Sequence, residues 1–167
     1  MALTTVTAAL TEAGKFGGKY LHIRDEKAAN TSGGTFTSGA WQTRTLNTEV
    51  TDEIGSTLSS NEFTLPAGTY YIRALAPAFQ CGRHKARLYN VTDTAVTLVG
   101  TSEYSSDTAS YTQSSSRVEG RFTIAAQKTF RIEHRCAVSK ATQGLGVESN
   151  LDSQTEVYTV VEVWKVD

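Results

Sequence analysis

The stretch Gln154 to Asp167 reads QTEVYTVVEVWKVD. Val157, Val161 and Val163 alternate with Tyr158, Val160 and Trp164, the period of two that a β-strand imposes. Both sets are apolar, and only Glu162 interrupts them. A strand of a small antiparallel protein ordinarily has one buried and one wet face. A strand with two apolar faces needs a second cover. Its carboxylate needs a partner, because an unpaired buried charge costs several kcal/mol.

The same alternation recurs upstream. TYYIRALAPAF (Thr69 to Phe79) sets Tyr70, Ile72 and Ala74 against Tyr71, Arg73 and Leu75, and Pro77 bends or ends the run. The turn Pro66-Ala67-Gly68 leads into it. YLHIR (Tyr20 to Arg24) alternates Leu21 and Ile23 with His22 and Arg24. RHKARLYNV and AVTLVGTSEY flank the turn TDT and predict a hairpin, while RVEGRFTIA and KTFRIEHRCAV predict further strands. The low-complexity stretch Ser105 to Ser116 and the long Gly-containing stretch Ser139 to Ser153 read as loops. The only helical signal is one turn at Ala8–Ala13. About eight to ten short strands with turns between them predict an all-β sandwich, jelly roll or barrel.

Composition narrows the function. At 167 residues the chain reads as one domain over 20–167, preceded by an arm over 1–19. Ser and Thr make up about a quarter of the residues, which suits strands and loops rather than helices. A net charge of −1 and a pI near 6.3 give no support for a nucleic-acid or anionic-membrane partner. No apolar run approaches the roughly 20 residues of a membrane helix, so no membrane insertion is expected. Residues 1–14 carry no basic side chain and no apolar run of signal length, and Met1 is the only methionine. These features predict an unprocessed product made in a cytosol.

No chemistry-bearing constellation stands out. His22, His84 and His134 form no HxH or HxxxH pair, and Cys81 and Cys136 form no CxxC. The acidic pairs Asp25-Glu26 and Asp52-Glu53 read as solvated loop residues, and no phosphate-binding or nucleophile motif is present. The expectation is a non-enzymatic protein with no cofactor and no metal.

FTLPAGTYYI (Phe63 to Ile72) resembles the Phe-Pro-Gly-Tyr signature of the trimeric jelly rolls found in complement heads and tumour-necrosis-factor ligands. Over Tyr20 to Lys165, the series HIRDEKAANTSGGTFTSGAWQTRTLNT, LPAGTYYIRALAPAF, HKARLYNVTDT, LVGTSEY, GRFTI, EHRCAV and EVYTVVEVWK resembles a family of phage and prophage virion proteins. That family supplies fibre-tip modules and short stand-alone virion proteins. The resemblance implies a homotrimeric jelly roll whose first, central and last strands share one inner sheet. The second face of that sheet then meets neighbouring subunits, which would cover the terminal strand.

Alternation assigns Leu21, Ile23, Ile72, Phe130, Ile132, Val157, Val161 and Val163 to the core. The expected trimer interface is His22, Arg24, Tyr71, Arg73, Arg131, Glu133, Tyr158, Glu162 and Trp164. Arg73 or Arg24 is the natural partner for Glu162, and Arg131 would meet Glu133 across the axis. Cys81 and Cys136 are expected at opposite ends of the domain, as free thiols. Receptor-facing loops would present Tyr104, Tyr111 and Asn150. The resemblance implies a virion component, made in the bacterial host cytoplasm and joined to other virion proteins through residues 1–19. It would act as the knob of a tail or head fibre that contacts a host-surface glycan or receptor. A capsid decoration protein and a cellular ligand-binding jelly roll are the alternatives.

Overall fold

The computed structural model describes residues 18–108 and 111–166. The arm expected over 1–19 lies outside them except for Gly18 and Lys19. Among the described residues there are strands and no helix: β1 (Tyr20–Lys27), β2 (Gln42–Thr43), β3 (Thr48–Asp52), β4 (Thr57–Ser59), β5 (Glu62–Leu65), β6 (Gly68–Phe79), β7 (Gly82–Asn90), β8 (Ala95–Ser105), β9 (Gln113–Ile124), β10 (Lys128–Cys136) and β11 (Glu156–Lys165). Local chemistry sets the turns. Ser60 and Asn61 have φ of 53° and 66°, the left-handed pair that closes a two-residue hairpin between β4 and β5. Asn90 Oδ1 accepts from the Asp93 amide at 2.9 Å and starts the turn between β7 and β8.

The strands form two antiparallel sheets. A five-stranded sheet runs β3-β1-β11-β6-β9, and a second runs β4-β5-β10-β7-β8 with β2 on β10. β1 and β11, at opposite ends of the described chain, are neighbours in the middle of the first sheet. This is a jelly-roll sandwich, as expected.

Apolar side chains from the two inward faces fill the core. Leu21, Ile23, Ile72, Val161 and Val163 come from the first sheet, and Phe63, Leu88, Phe130 and Ile132 from the second. Phe130 meets Phe122 edge-on across the gap, with centroids 5.3 Å apart.

Two features depart from the sequence expectation. Phe130 and Ile132 are buried, but β10 belongs to the second sheet, so Arg131 and Glu133 face outward on the side away from β11. Val157 is 40 % exposed and Tyr158 is buried. The cause is a bulge: Arg24 pairs with Val160 and Glu26 with Val157, so β11 carries one more residue than β1 over that interval. Beyond it the faces exchange. The Tyr158 hydroxyl then donates to the Thr31 carbonyl at 2.7 Å. Its ring lies so close to Gly146, at φ +140°, that a Cβ there would sit 2.2 Å from Tyr158 Cδ1; only glycine fits.

A second buried cluster closes one end of the sandwich with Phe36, Ala78, Cys81, Cys136 and Leu145. The cysteines are neighbours here rather than at opposite ends, and both are free thiols. The neighbouring Cys81 thiol and burial hold the Cys136 thiol well above the usual range. The expectation of opposite ends rested on β6 and β10 sharing a sheet. They lie in different sheets and finish at the same end.

Arg44 fills the middle of this region and is 0 % exposed. It donates to Thr159 Oγ1 at 2.7 Å, to the Pro77 carbonyl at 3.2 Å and to the Leu145 carbonyl at 2.8 Å. Burial pushes its pKa down to about 10, opposed by the Asp25 carboxylate. Nearby, His84 Nδ1 and His134 Nε2 share a hydrogen bond at 3.0 Å, and Ser114 Oγ lies 2.8 Å from His84 Nε2. Burial and the charge of Arg44 keep both rings neutral: His84 is pushed down to about 4 against the opposing field of Glu103, and His134 lies well below its usual value.

A pH dependence follows. Below about pH 6.5 the unfolded chain protonates these histidines, while in the folded chain His84 stays neutral until about pH 4 and His134 is held neutral well below its usual value, so stability falls as pH falls through that window. His22, also lowered by burial, acts in the same direction. Urea unfolding should give a midpoint that is highest above pH 6.5 and declines toward pH 4.5, with a shallower decline in His84→Gln. A midpoint constant across that window would contradict the neutral histidine pair.

Candidate functional site

The outward face of the five-stranded sheet collects most of the expected interface. Strand register lines up Thr51, His22, Glu162, Arg73 and Glu119 in one row across all five strands. The neighbouring row holds Tyr20, Trp164, Tyr71 and Arg121. Charges and rings therefore interleave. Arg73 donates to Glu162 Oε2 through Nε at 2.8 Å and Nη2 at 2.6 Å, and the Tyr20 hydroxyl donates to Glu162 Oε1 at 2.9 Å. Burial and that bond push the Tyr20 pKa up to about 12. Trp164 lies between the Tyr20 and Tyr71 rings, with centroids 5.2 Å and 6.2 Å away and the Arg73 guanidinium 5.7 Å off. The Tyr71 hydroxyl is bonded to Glu119.

Here His22, Arg24, Tyr71, Arg73, Glu162 and Trp164 share a face, and Arg73 rather than Arg24 partners Glu162. Arg24 is taken by Glu26. Two further members, Tyr20 and Glu119, were missed. Tyr20 sits in phase with His22 and Arg24, so its spacing carried the signal. Glu119 shows only once β9 is set beside β6.

Three residues assigned to that face lie elsewhere. Tyr158 is turned inward by the β11 bulge. Arg131 and Glu133 belong to the second sheet and pair within one chain: Arg131 donates to Glu133 Oε1 at 2.6 Å, and Arg87 Nε to Glu133 Oε2 at 2.7 Å. Glu62 takes the other side of Arg131 at 3.2 Å. Arg87 also lies 4.0 Å from the Trp41 ring centroid. The carboxylate of Glu133, 3 % exposed, is thus held between two guanidinium groups.

The two loops expected to face a receptor meet at one end of the sandwich. Gln80 joins them, its Nε2 donating to the Thr108 carbonyl at 3.0 Å and its Oε1 accepting from Lys140 Nζ at 2.7 Å. Tyr111 stands 86 % exposed beside Phe79. Asn150 is exposed, in a turn whose amide is held by Glu156. Tyr104 lies on β8 rather than in a loop, 59 % exposed, with its hydroxyl toward Asp107. Among the described residues no group of three or more His, Cys, Asp or Glu is arranged to hold a metal ion.

The architecture defines the chain as a jelly roll of the kind seen in complement globular heads and tumour-necrosis-factor ligands. Among solved structures it is similar to the globular domain of the zebrafish complement 1qA protein, at 14 % identity and a TM-score of 0.55, covering 90 % of this chain and 97 % of that one. It is similar to murine APRIL at pH 5.0, at 9 % identity and a TM-score of 0.57, covering 90 % and 100 %. It is similar also to an Eiger TNF from S. frugiperda, at 10 % identity and a TM-score of 0.58, covering 90 % and 94 %. At these identities the likeness is one of fold. No protein-family model and no curated protein matches the sequence.

The Glu133 clamp is open to test. Glu133→Ala leaves two neighbouring guanidinium groups without their carboxylate and should cost about 3 kcal/mol in urea unfolding. Lys128→Ala, which breaks only the surface pair with Asp93, should cost less than about 1 kcal/mol. Equal small losses would show that Glu133 is solvated.

Proposed function

We propose that the protein is a non-enzymatic homotrimeric binding module. The outward face of the five-stranded sheet is its subunit contact, and the loops at one end meet the target. The observation that carries this reading is the chemistry of that face. It is rich in aromatic side chains and arginine, the residue types enriched at interfaces, and the Glu162 carboxylate at its centre is already neutralised within the chain by Arg73 and Tyr20. Such a face can be covered without stranding the Glu162 carboxylate. The fold likeness to complement and tumour-necrosis-factor jelly rolls supports the reading.

The resemblance of the series from His22 to Lys165 to phage virion proteins supports a more specific setting. The trimer would be the knob of a tail or head fibre, joined to other virion proteins through residues 1–19, and it would contribute to adhesion at the host surface. Three copies on one axis strengthen weak loop contacts by raising their effective concentration. The likeness to animal jelly rolls favours a second setting, a cellular ligand-binding module.

Light scattering on the size-exclusion peak tests the oligomer: a mass near three times 18.1 kDa is expected. Glu162→Ala should then leave Arg73 unpaired inside the contact and lower the trimer's melting temperature. In a monomer the same change would cost less than about 1 kcal/mol. Deleting residues 1–17 should abolish incorporation into particles while leaving the trimer intact. Normal incorporation of the truncated chain would rule out the arm as anchor.

A further inference from the structure

The second sheet carries a groove of about 1010 Å³ on its outward face. Its lining includes Trp41, Arg83, Lys85, Glu103, Tyr104 and Arg135. Register explains their convergence. Arg135 pairs with Lys85, and Lys85 with Ser102, across β10, β7 and β8. Arg83 pairs with Tyr104 one row away. Gln42 and Thr43 pair with His134 and Glu133, which sets Trp41 beside Arg135. Three cations from two adjacent rows therefore stand between an indole at one edge and a phenol at the other.

These cations differ from the others on the face. Arg87 and Arg131 are neutralised by Glu133 and Glu62. No described residue forms an ion pair or side-chain hydrogen bond with Arg83, Lys85 or Arg135. The lining holds one carboxylate, Glu103, whose field falls on His84. A positive surplus is thus built into a chain whose net charge is −1.

We infer that this groove binds an acidic saccharide, with the carboxylates or sulfates of the sugar on Arg83, Lys85 and Arg135. The ring of Tyr104, and the face of Trp41 not covered by Arg87, take the apolar faces of the sugar rings. Arginine matches a planar carboxylate with two parallel hydrogen bonds, and the Ser38 and Ser102 side chains in the lining suit sugar hydroxyls. Three cations beside one carboxylate make too few phosphate contacts for a nucleic acid, whose affinity rests on many. The groove lies on the opposite sheet from the proposed subunit contact, so it stands or falls independently of the oligomeric state.

Calorimetric titration at low ionic strength with hexagalacturonate, its methyl ester and inorganic polyphosphate tests the site. Hexagalacturonate should bind at least tenfold more tightly than the neutral ester. Arg83→Gln with Arg135→Gln should weaken it about tenfold or more, the loss expected from removing charge-assisted hydrogen bonds. Tyr104→Ala should weaken the uronate and leave polyphosphate unchanged, with the melting temperature and the light-scattering mass unaltered. Equal binding of the methyl ester, or unaltered binding in the double variant, would overturn the site. Polyphosphate binding as tight as the uronate, with Tyr104→Ala affecting neither, would reduce it to plain charge attraction and overturn the saccharide assignment.

Discussion

One buried guanidinium organises the end of the molecule where the loops gather. Arg44 reaches β11 through Thr159, the C-terminal end of β6 through Pro77 and the long β10–β11 loop through Leu145. Its own amide donates to Ile132 of β10, so one residue ties both sheets and a loop. A cation in that position restricts everything around it. It accounts, with burial, for the neutrality of His84 and His134. It sits among carbonyl and hydroxyl acceptors rather than carboxylates, with Asp25 as the nearby compensating charge. The buried cysteine pair, the histidine pair and the seat of Leu145 share this one electrostatic setting.

The two sheets use one backbone pattern for different surfaces. Both alternate inward apolar and outward polar residues, and both mix aromatics with arginines on the outside. At the centre of the five-stranded sheet the charges cancel in pairs, Arg73 with Glu162 and Arg24 with Glu26, while Arg117 and Arg121 on the edge strand β9 form no ion pair with a described residue. On the second sheet the cancellation stops partway along the strands. Glu133 and Glu62 serve Arg87 and Arg131, while the next cations toward the loop end have no acid opposite them. A neutralised centre suits burial against protein, and a groove with surplus charge suits an anionic ligand. Bulk composition hides the second face, because a net charge near zero averages a basic groove with acidic loops.

How far the sequence could be read depended on whether a feature was local. Leu21, Ile23, Ile72, Val161 and Val163 are core residues wherever their strands pair, because alternation needs only the strand itself. The turns at Pro66-Ala67-Gly68 and Thr92 to Thr94 were legible for the same reason. The Arg73–Glu162 pair was nearly legible, since each residue is out of phase with its strand's core set. Arg131 and Glu133 were not: their phase is equally clear, but phase does not say which sheet β10 joins. The β11 bulge was invisible too, because it exists only as a mismatch in length between β1 and β11.

The sequence by itself determined that this is an all-β chain, where its strands and turns fall, and which face of most strands is apolar. Those properties come from side-chain period and turn chemistry, which act over a few residues. Tertiary structure alone decided the partition of strands into two sheets. It decided that Tyr158 turns inward and Val157 outward, that Cys81 lies beside Cys136, and that Arg83, Lys85 and Arg135 stand together. Each depends on register between segments distant in the chain, and register is set by the packing of the whole sandwich rather than by any one strand.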